Sequence, residues 1–124
     1  MQIRVYYEDT DAGGIVYHSN YLNFCERARS EYFFKKEMLP IVDGAHFVVR
    51  KMNCDFLKSA KFGDMIEVST KVVQMKGSSF EIFHEIYKDD ELLFKSTVLL
   101  VLVENGKVKR LTNDIQDLLN SLFH

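Results

Sequence analysis

Val98 to Val103 reads Val-Leu-Leu-Val-Leu-Val, with no polar residue between, whereas the other β-like runs of this chain alternate apolar with polar residues. An alternating strand has one wet face; a strand that does not alternate is covered on both. The sequence offers one long helical pattern to do the covering. Tyr21, Phe24, Cys25, Ala28 and Tyr32 recur at helical spacing, and charged Glu26, Arg27, Arg29 and Glu31 occupy much of the remaining surface. A single helix covers one face of a sheet. The other face, or the sheet edge, then calls for a partner, so a homo-oligomer is expected.

The rest of the chain fits around that pair of elements. Ile3 to Tyr7 is a short β-prone run, and the helix should extend to about Lys36, with Ser19 or Asn20 as its cap. Pro40, the only proline, and Gly44 mark the connection out of it. Period-two patterning then sets in: from Phe47 onward Met52, Cys54 and Phe56 share a face, followed by Ile66, Val68, Thr70 and Val72, then Phe80, Ile82, His84 and Ile86. Gly77 reads as a hairpin turn, Lys88-Asp89-Asp90 as the next, and Asn105-Gly106 as a strong turn after the long run from Leu92. A short strand over Lys107 to Arg110 and a terminal helix capped by Thr112 or Asn113, with Ile115, Leu118, Leu119 and Leu122 inward, complete the reading. These elements make a single α+β domain over 1–124 with an antiparallel sheet.

Composition narrows the function classes. A formal net charge of −2 over 124 residues gives no general attraction to nucleic acid or anionic membrane. The longest apolar run is far too short to span a bilayer, and the N-terminus does not read as a signal peptide, so a cytoplasmic protein that is not membrane-inserted is expected. Cys25 and Cys54 lack ligand or framework spacing, which suggests neither a disulfide scaffold nor a zinc site. Core packing accounts for the ten Phe and six Tyr.

Chemistry concentrates between Tyr7 and Tyr21, where acids, two glycines and a histidine precede the helix. Glu8 and Asp9 read as scaffolding at the positive end of that helix. Asp11 differs, because Gly13 and Gly14 follow it and His18 lies at the helix start; a substrate carbonyl would fit between carboxylate and backbone amide. Asp9, Asp11 and His18 have neither an EF-hand nor a His-x-x-x-His spacing, so no metal is expected. Ser19 lacks a G-x-S-x-G context, which argues against a serine triad. His46, His84 and His124 read as structural. Lys58 and Lys61, flanking Ser59-Ala60, form a basic loop able to meet phosphate.

The run Tyr7-Glu8-Asp9-Thr10-Asp11-Ala12-Gly13-Gly14-Ile15-Val16-Tyr17-His18-Ser19-Asn20-Tyr21 closely resembles the signature of YbgC-type acyl-CoA thioesterases, relatives of 4-hydroxybenzoyl-CoA thioesterase. The resemblance continues through Glu26-Arg27-Ala28-Arg29-Ser30-Glu31-Tyr32 and Phe56-Leu57-Lys58-Ser59-Ala60-Lys61-Phe62-Gly63-Asp64. It implies a hotdog fold, an antiparallel sheet of about five strands wrapped around a long helix, with subunits pairing through their sheets and dimers pairing into tetramers. It also implies hydrolysis of acyl-CoA to free acid and CoA at a site shared between subunits, with no cofactor because CoA is part of the substrate. Carried over by position, the catalytic carboxylate falls on Asp11, as general base or nucleophile, and the helix start that polarises the carbonyl falls on His18. Tyr7 is a further catalytic candidate. Gly13, Gly14, Val16, Tyr17, Lys58 and Lys61 are expected to bind substrate. The alternative is a hotdog module of lipid metabolism that docks acyl carrier protein or envelope and phospholipid-synthesis enzymes with little turnover; a hotdog dehydratase is a weaker third, since its signature differs from this loop.

Overall fold

The periodicities mapped along the sequence become a sheet curled around a helix. A computed structural model describes residues 1–123; His124 lies outside them. In chain order the elements are β1 (Gln2–Arg4), α1 (His18–Phe34), β2 (Ile41–Val42), β3 (Ala45–Phe56), β4 (Met65–Lys76), β5 (Ser79–Lys88), β6 (Glu91–Glu104), β7 (Lys107–Lys109) and α2 (Asn113–Leu122). The strands form a seven-stranded antiparallel sheet in the order β1-β4-β5-β6-β3-β2, with β7 continuing along β6 beyond the end of β5. This is the hotdog arrangement. Four strands are long and three are two or three residues each.

The turns follow from local chemistry. Asn105 and Gly106 both take positive φ, 52° and 78°, the backbone that a two-residue hairpin demands and that asparagine and glycine tolerate best. Thr112, rather than Asn113, caps α2: its hydroxyl accepts the Ile115 N–H at 3.3 Å. β2, which pairs Ile41 and Val42 with His46 and Ala45, has no counterpart in the alternation pattern because two residues carry no period.

Two clusters make the core. Tyr21, Phe24, Cys25 and Ala28 of α1 pack on Val68, Ile86 and Phe94, and a second group joins Phe33 to Leu100, Leu102 and the α2 residues Ile115, Leu119 and Leu122. Each fully buried Phe, Ile or Leu contributes about 2–3 kcal/mol. Phe33, not Tyr32, is the buried residue at the end of α1. The stripe turns there because Phe47 and Phe123 meet the Phe33 ring at 5.5 and 5.9 Å, while Tyr32 stays half-buried beside Phe123.

The unalternated strand resolves into two faces. Val98, Leu100 and Leu102 point into the core; on the other face Val101 is also buried, while Leu99 and Val103 remain half-buried. β3 is hydrogen-bonded to β6 on one side, and β2 reaches only its first residues on the other, so most of that edge is open. No helix among the described residues is long and apolar enough to cross a membrane.

Candidate active site

The loop before α1 is a small hairpin-like cradle. The segment read as a strand to Tyr7 ends at Arg4, and Tyr7–Asp9 winds into a 3-10 turn. Thr10 pairs with Val16 and Ile15 with Lys61, so the loop is fastened to the turn that follows β3. Inside it the Asp11 N–H donates to the Ile15 carbonyl at 2.9 Å, and the Gly14 N–H to the Asp11 carbonyl at 3.0 Å. Gly14 has φ +79°, which a side chain would strain. Asp9 is buried. Its carboxylate accepts the Tyr6 N–H at 2.9 Å, and its carbonyl accepts both the Tyr17 N–H and the Asn20 side-chain amide, each at 2.9 Å.

These restraints place Asp11, Val16, His18 and Lys58 on the wall of one open cleft of about 240 Å³. One Asp11 carboxylate oxygen accepts the Gly13 N–H at 2.8 Å, and the other makes no hydrogen bond among the described residues. His18 is the first residue of α1, and Tyr17, extended at φ −63° and ψ 132°, holds the cap position with no side-chain hydrogen bond. The expected caps, Ser19 and Asn20, are therefore inside the helix, and Asn20 spends its amide on Asp9. An uncapped first turn leaves backbone N–H groups and the positive end of the helix dipole for a ligand. Carboxylate and anion-stabilising donors thus share one cleft, which suits attack on a carbonyl.

Of the other residues singled out from the sequence, Tyr7, Gly13, Gly14, Tyr17 and Lys61 do not line this cleft. The Tyr17 ring lies 4.4 Å from the His18 ring, and Phe56 approaches His18 edge-on at 6.1 Å. Tyr7 is exposed and packs 5.9 Å from Phe62, away from the cleft wall. Gly13 and Gly14 form the turn behind Asp11, and the Lys61 N–H is held by Asp64 at 2.8 Å. The Lys58 ammonium pairs with Glu91 at 2.8 Å across an exposed surface. The Asp64 carboxyl is lowered: burial pushes it upward, but the Lys61 backbone N–H and the Lys88 ammonium outweigh that.

A profile of the thioesterase superfamily matches residues 13–95. The acyl-CoA thioesterase YbgC of Helicobacter pylori is 47% identical over 87 residues, a match spanning 70% of this chain and 65% of that protein. The acyl-CoA thioester hydrolase YbgC of Escherichia coli O157:H7 is 41% identical over 112 residues, 86% of this chain and 83% of that one. The crystal structure of a probable thioesterase from Bartonella henselae superposes with a TM-score of 0.80 at 33% identity, covering 90% of this chain and 96% of that one. The chain belongs to the thioesterase superfamily.

The superfamily match takes in His18, α1 and the long strands through part of β6, while Asp11 lies just before its first residue. In this superfamily member the cleft wall also contains Ile15, Tyr21, Phe56, Leu57 and Ser59, which were not singled out as site residues from the sequence. Tyr21 looks like any core position in a helical stripe; only the fold shows its hydroxyl accepting the Ala60 N–H at 2.9 Å. Burial pushes the Tyr21 phenol upward, the Ala60 contact works against this, and Asp64 adds to the rise. Among the described residues no three His, Cys, Asp or Glu side chains converge in a way that would hold a metal ion. Both cysteines are free, and burial pushes the Cys25 thiol up to about 12.

Proposed function

We propose that this chain hydrolyses the thioester of an acyl-CoA, releasing the free acid and CoA. The observation that carries the proposal is the shared cleft: Asp11 and His18, the first residue of a helix without a side-chain cap, both line it. The thioester carbonyl oxygen would lie at the first turn of α1. Attack on the carbonyl carbon turns that oxygen into an oxyanion, and one preorganised donor aimed at it contributes about 3 kcal/mol to the transition state. As general base, Asp11 takes a proton from the attacking water and returns it to the departing CoA thiolate when the C–S bond breaks. As nucleophile, it attacks the carbonyl carbon, the C–S bond breaks and CoA leaves as the thiolate, and water then opens the resulting anhydride to free acid and restored Asp11. Its free oxygen is available for either role.

Gly13 and Gly14 keep the loop low enough for the acyl group to approach, and Val16 with the Tyr17 and His18 rings walls the carbonyl. Lys58 and Lys61 would meet the phosphates of CoA, Lys58 by releasing Glu91. Tyr7, which does not line the cleft, would touch the CoA arm rather than the reacting carbon. No cofactor is required by these steps. The open edge of β3 and the half-covered outer face of β6 favour association with further copies, with a dimer of dimers as the full assembly.

Thiol release from a panel of acyl-CoAs tests the reading. Asp11→Asn is expected to lower kcat by at least about 100-fold, and an undiminished rate would overturn the assignment. His18→Ala separates side chain from backbone: a small effect assigns the carbonyl to the N–H. Light scattering on the purified protein should give a multimer, and an active monomer would remove the shared-site reading.

A further inference from the structure

A second cleft lies at the opposite half of α1. It holds about 440 Å³, within the range of small-ligand pockets, and runs between α1, the connection through Pro40 and the start of β3. Phe33, Ile41, Phe47, Leu100 and Phe123 make it apolar. Arg29 joins the same wall, half-buried.

The hydrogen bonding of Arg29 leaves most of it unspent. Its Nη1 lies 3.2 Å from Nε2 of His84, a wholly buried side chain whose Nδ1 faces the Ser69 carbonyl at 3.2 Å and the Thr70 hydroxyl at 3.2 Å. A guanidinium only donates, so Nε2 is the acceptor and Nδ1 carries the proton toward Ser69. His84 is thereby neutral and offers Arg29 no countercharge. Burial, with Arg29 second, brings the His84 pKa down to about 4, which agrees with that tautomer. Among the described residues Arg29 enters no ion pair; Glu26, one turn earlier and exposed, lines the same cleft with Ser30 and His46 and acts on Arg29 electrostatically without contacting it. Five N–H donors with one acceptor between them, on a partly desolvated cation, make a strong site for a carboxylate.

We infer that this cleft binds an aliphatic monocarboxylate, its carboxylate on the Arg29 guanidinium and its chain along Phe33, Phe47 and Leu100. A mainly apolar cleft whose cation has no ion pair, with Glu26 the one acid on its wall, offers such a ligand apolar contact for its chain and free N–H donors for its carboxylate. The acid is of the class that thioester hydrolysis releases; only that link rests on the activity proposed above, and binding itself does not.

Titration calorimetry with octanoate, in the absence of any thioester, tests the inference. Wild type should bind one octanoate per protomer, and 1-octanol, with the same chain and no charge, should bind at least tenfold more weakly. Arg29→Gln should weaken octanoate at least tenfold, and Arg29→Lys should restore part of the loss. Because Arg29 variants remove the one side-chain partner that His84 Nε2 has among the described residues, and so put folding at risk, Ile41→Glu provides a second arm at the half-exposed mouth. It should weaken octanoate at least threefold, with Ile41→Gln unchanged. Asp11→Asn should leave octanoate affinity as in wild type. Absence of octanoate binding, equal affinity for octanol, or loss of binding in Asp11→Asn would each overturn the inference. Octanoate binding by a protein that cleaves no acyl-CoA would leave this site standing and remove the proposed activity.

Discussion

The Tyr21 hydroxyl accepts the backbone N–H of Ala60 at 2.9 Å, tying the helix that starts at His18 to the turn that carries Lys58 and Ser59. Both walls of the cleft are therefore tied together by a buried hydrogen bond. Stacking of Tyr21 on Phe94, centroids 5.2 Å apart and planes 9° from parallel, fixes where that hydroxyl points.

Removing the hydroxyl tests this coupling. Tyr21→Phe keeps the ring and leaves a buried N–H without its partner, a loss of about 1–3 kcal/mol. Urea unfolding should show that loss, and KM for acyl-CoA should rise more than kcat falls. Unchanged stability would mean that the Ala60 N–H finds water and that the latch is unimportant.

The two glycines of the loop should fail in different ways. A Cβ on Gly14 meets nothing within 4 Å but forces a side chain into φ +79°, at about 1–2 kcal/mol of strain. A Cβ on Gly13 would come within 3.2 Å of an Asp11 carboxylate oxygen. Gly14→Ala is thus expected to lower stability with a modest change in kcat, and Gly13→Ala to lower kcat with a smaller change in stability. Parallel unfolding and thiol-release measurements decide it, and the reverse pattern would detach the loop from the chemistry.

His84 sets an acid limit on the fold. Its folded pKa, about 4, lies below the ordinary 6.5, so the unfolded chain takes up a proton that the folded protein refuses. Stability is fully present above pH 6.5, falls as pH drops toward 4, and levels off below, with a total of up to about 3 kcal/mol. Denaturant midpoints measured across that window should follow this slope. His84→Gln, which cannot protonate, should flatten it; an equally steep slope in the variant would assign it to other groups.

α2 depends on its cap. Thr112→Ala removes the acceptor for the Ile115 N–H and should cost about 1 kcal/mol by chemical unfolding. Because Leu119 and Leu122 complete the core around Phe33, the loss should appear as a shift of the whole transition rather than as fraying of one helix.

Much of this was legible in the residues. Alternation from Phe47 onward marked β3, β4 and β5, the unbroken apolar run marked β6, Asn105-Gly106 marked a turn, and the resemblance of the Tyr7–Tyr21 segment pointed to the hotdog fold. The cap of α1 was not legible: Ser19 and Asn20 have the right chemistry, but Asp9 captures the Asn20 amide and Tyr17 takes the cap position. Nor was Tyr32 distinguishable from Phe33, because the choice depends on Phe47 and Phe123, distant in the chain.

By itself the sequence determined the period of each element and the presence of a carboxylate, a glycine pair and a helix start within one short loop, since these depend on neighbours along the chain. Only the tertiary structure decided which groups share a cleft. It put Asp11, His18, Lys58 and Tyr21 together and left Tyr7 outside. It also set Arg29 against a neutral His84, with no ion pair to Arg29 among the described residues. Those outcomes rest on contacts between residues far apart in sequence, where burial and unspent hydrogen bonds arise only once the sheet has closed around the helix.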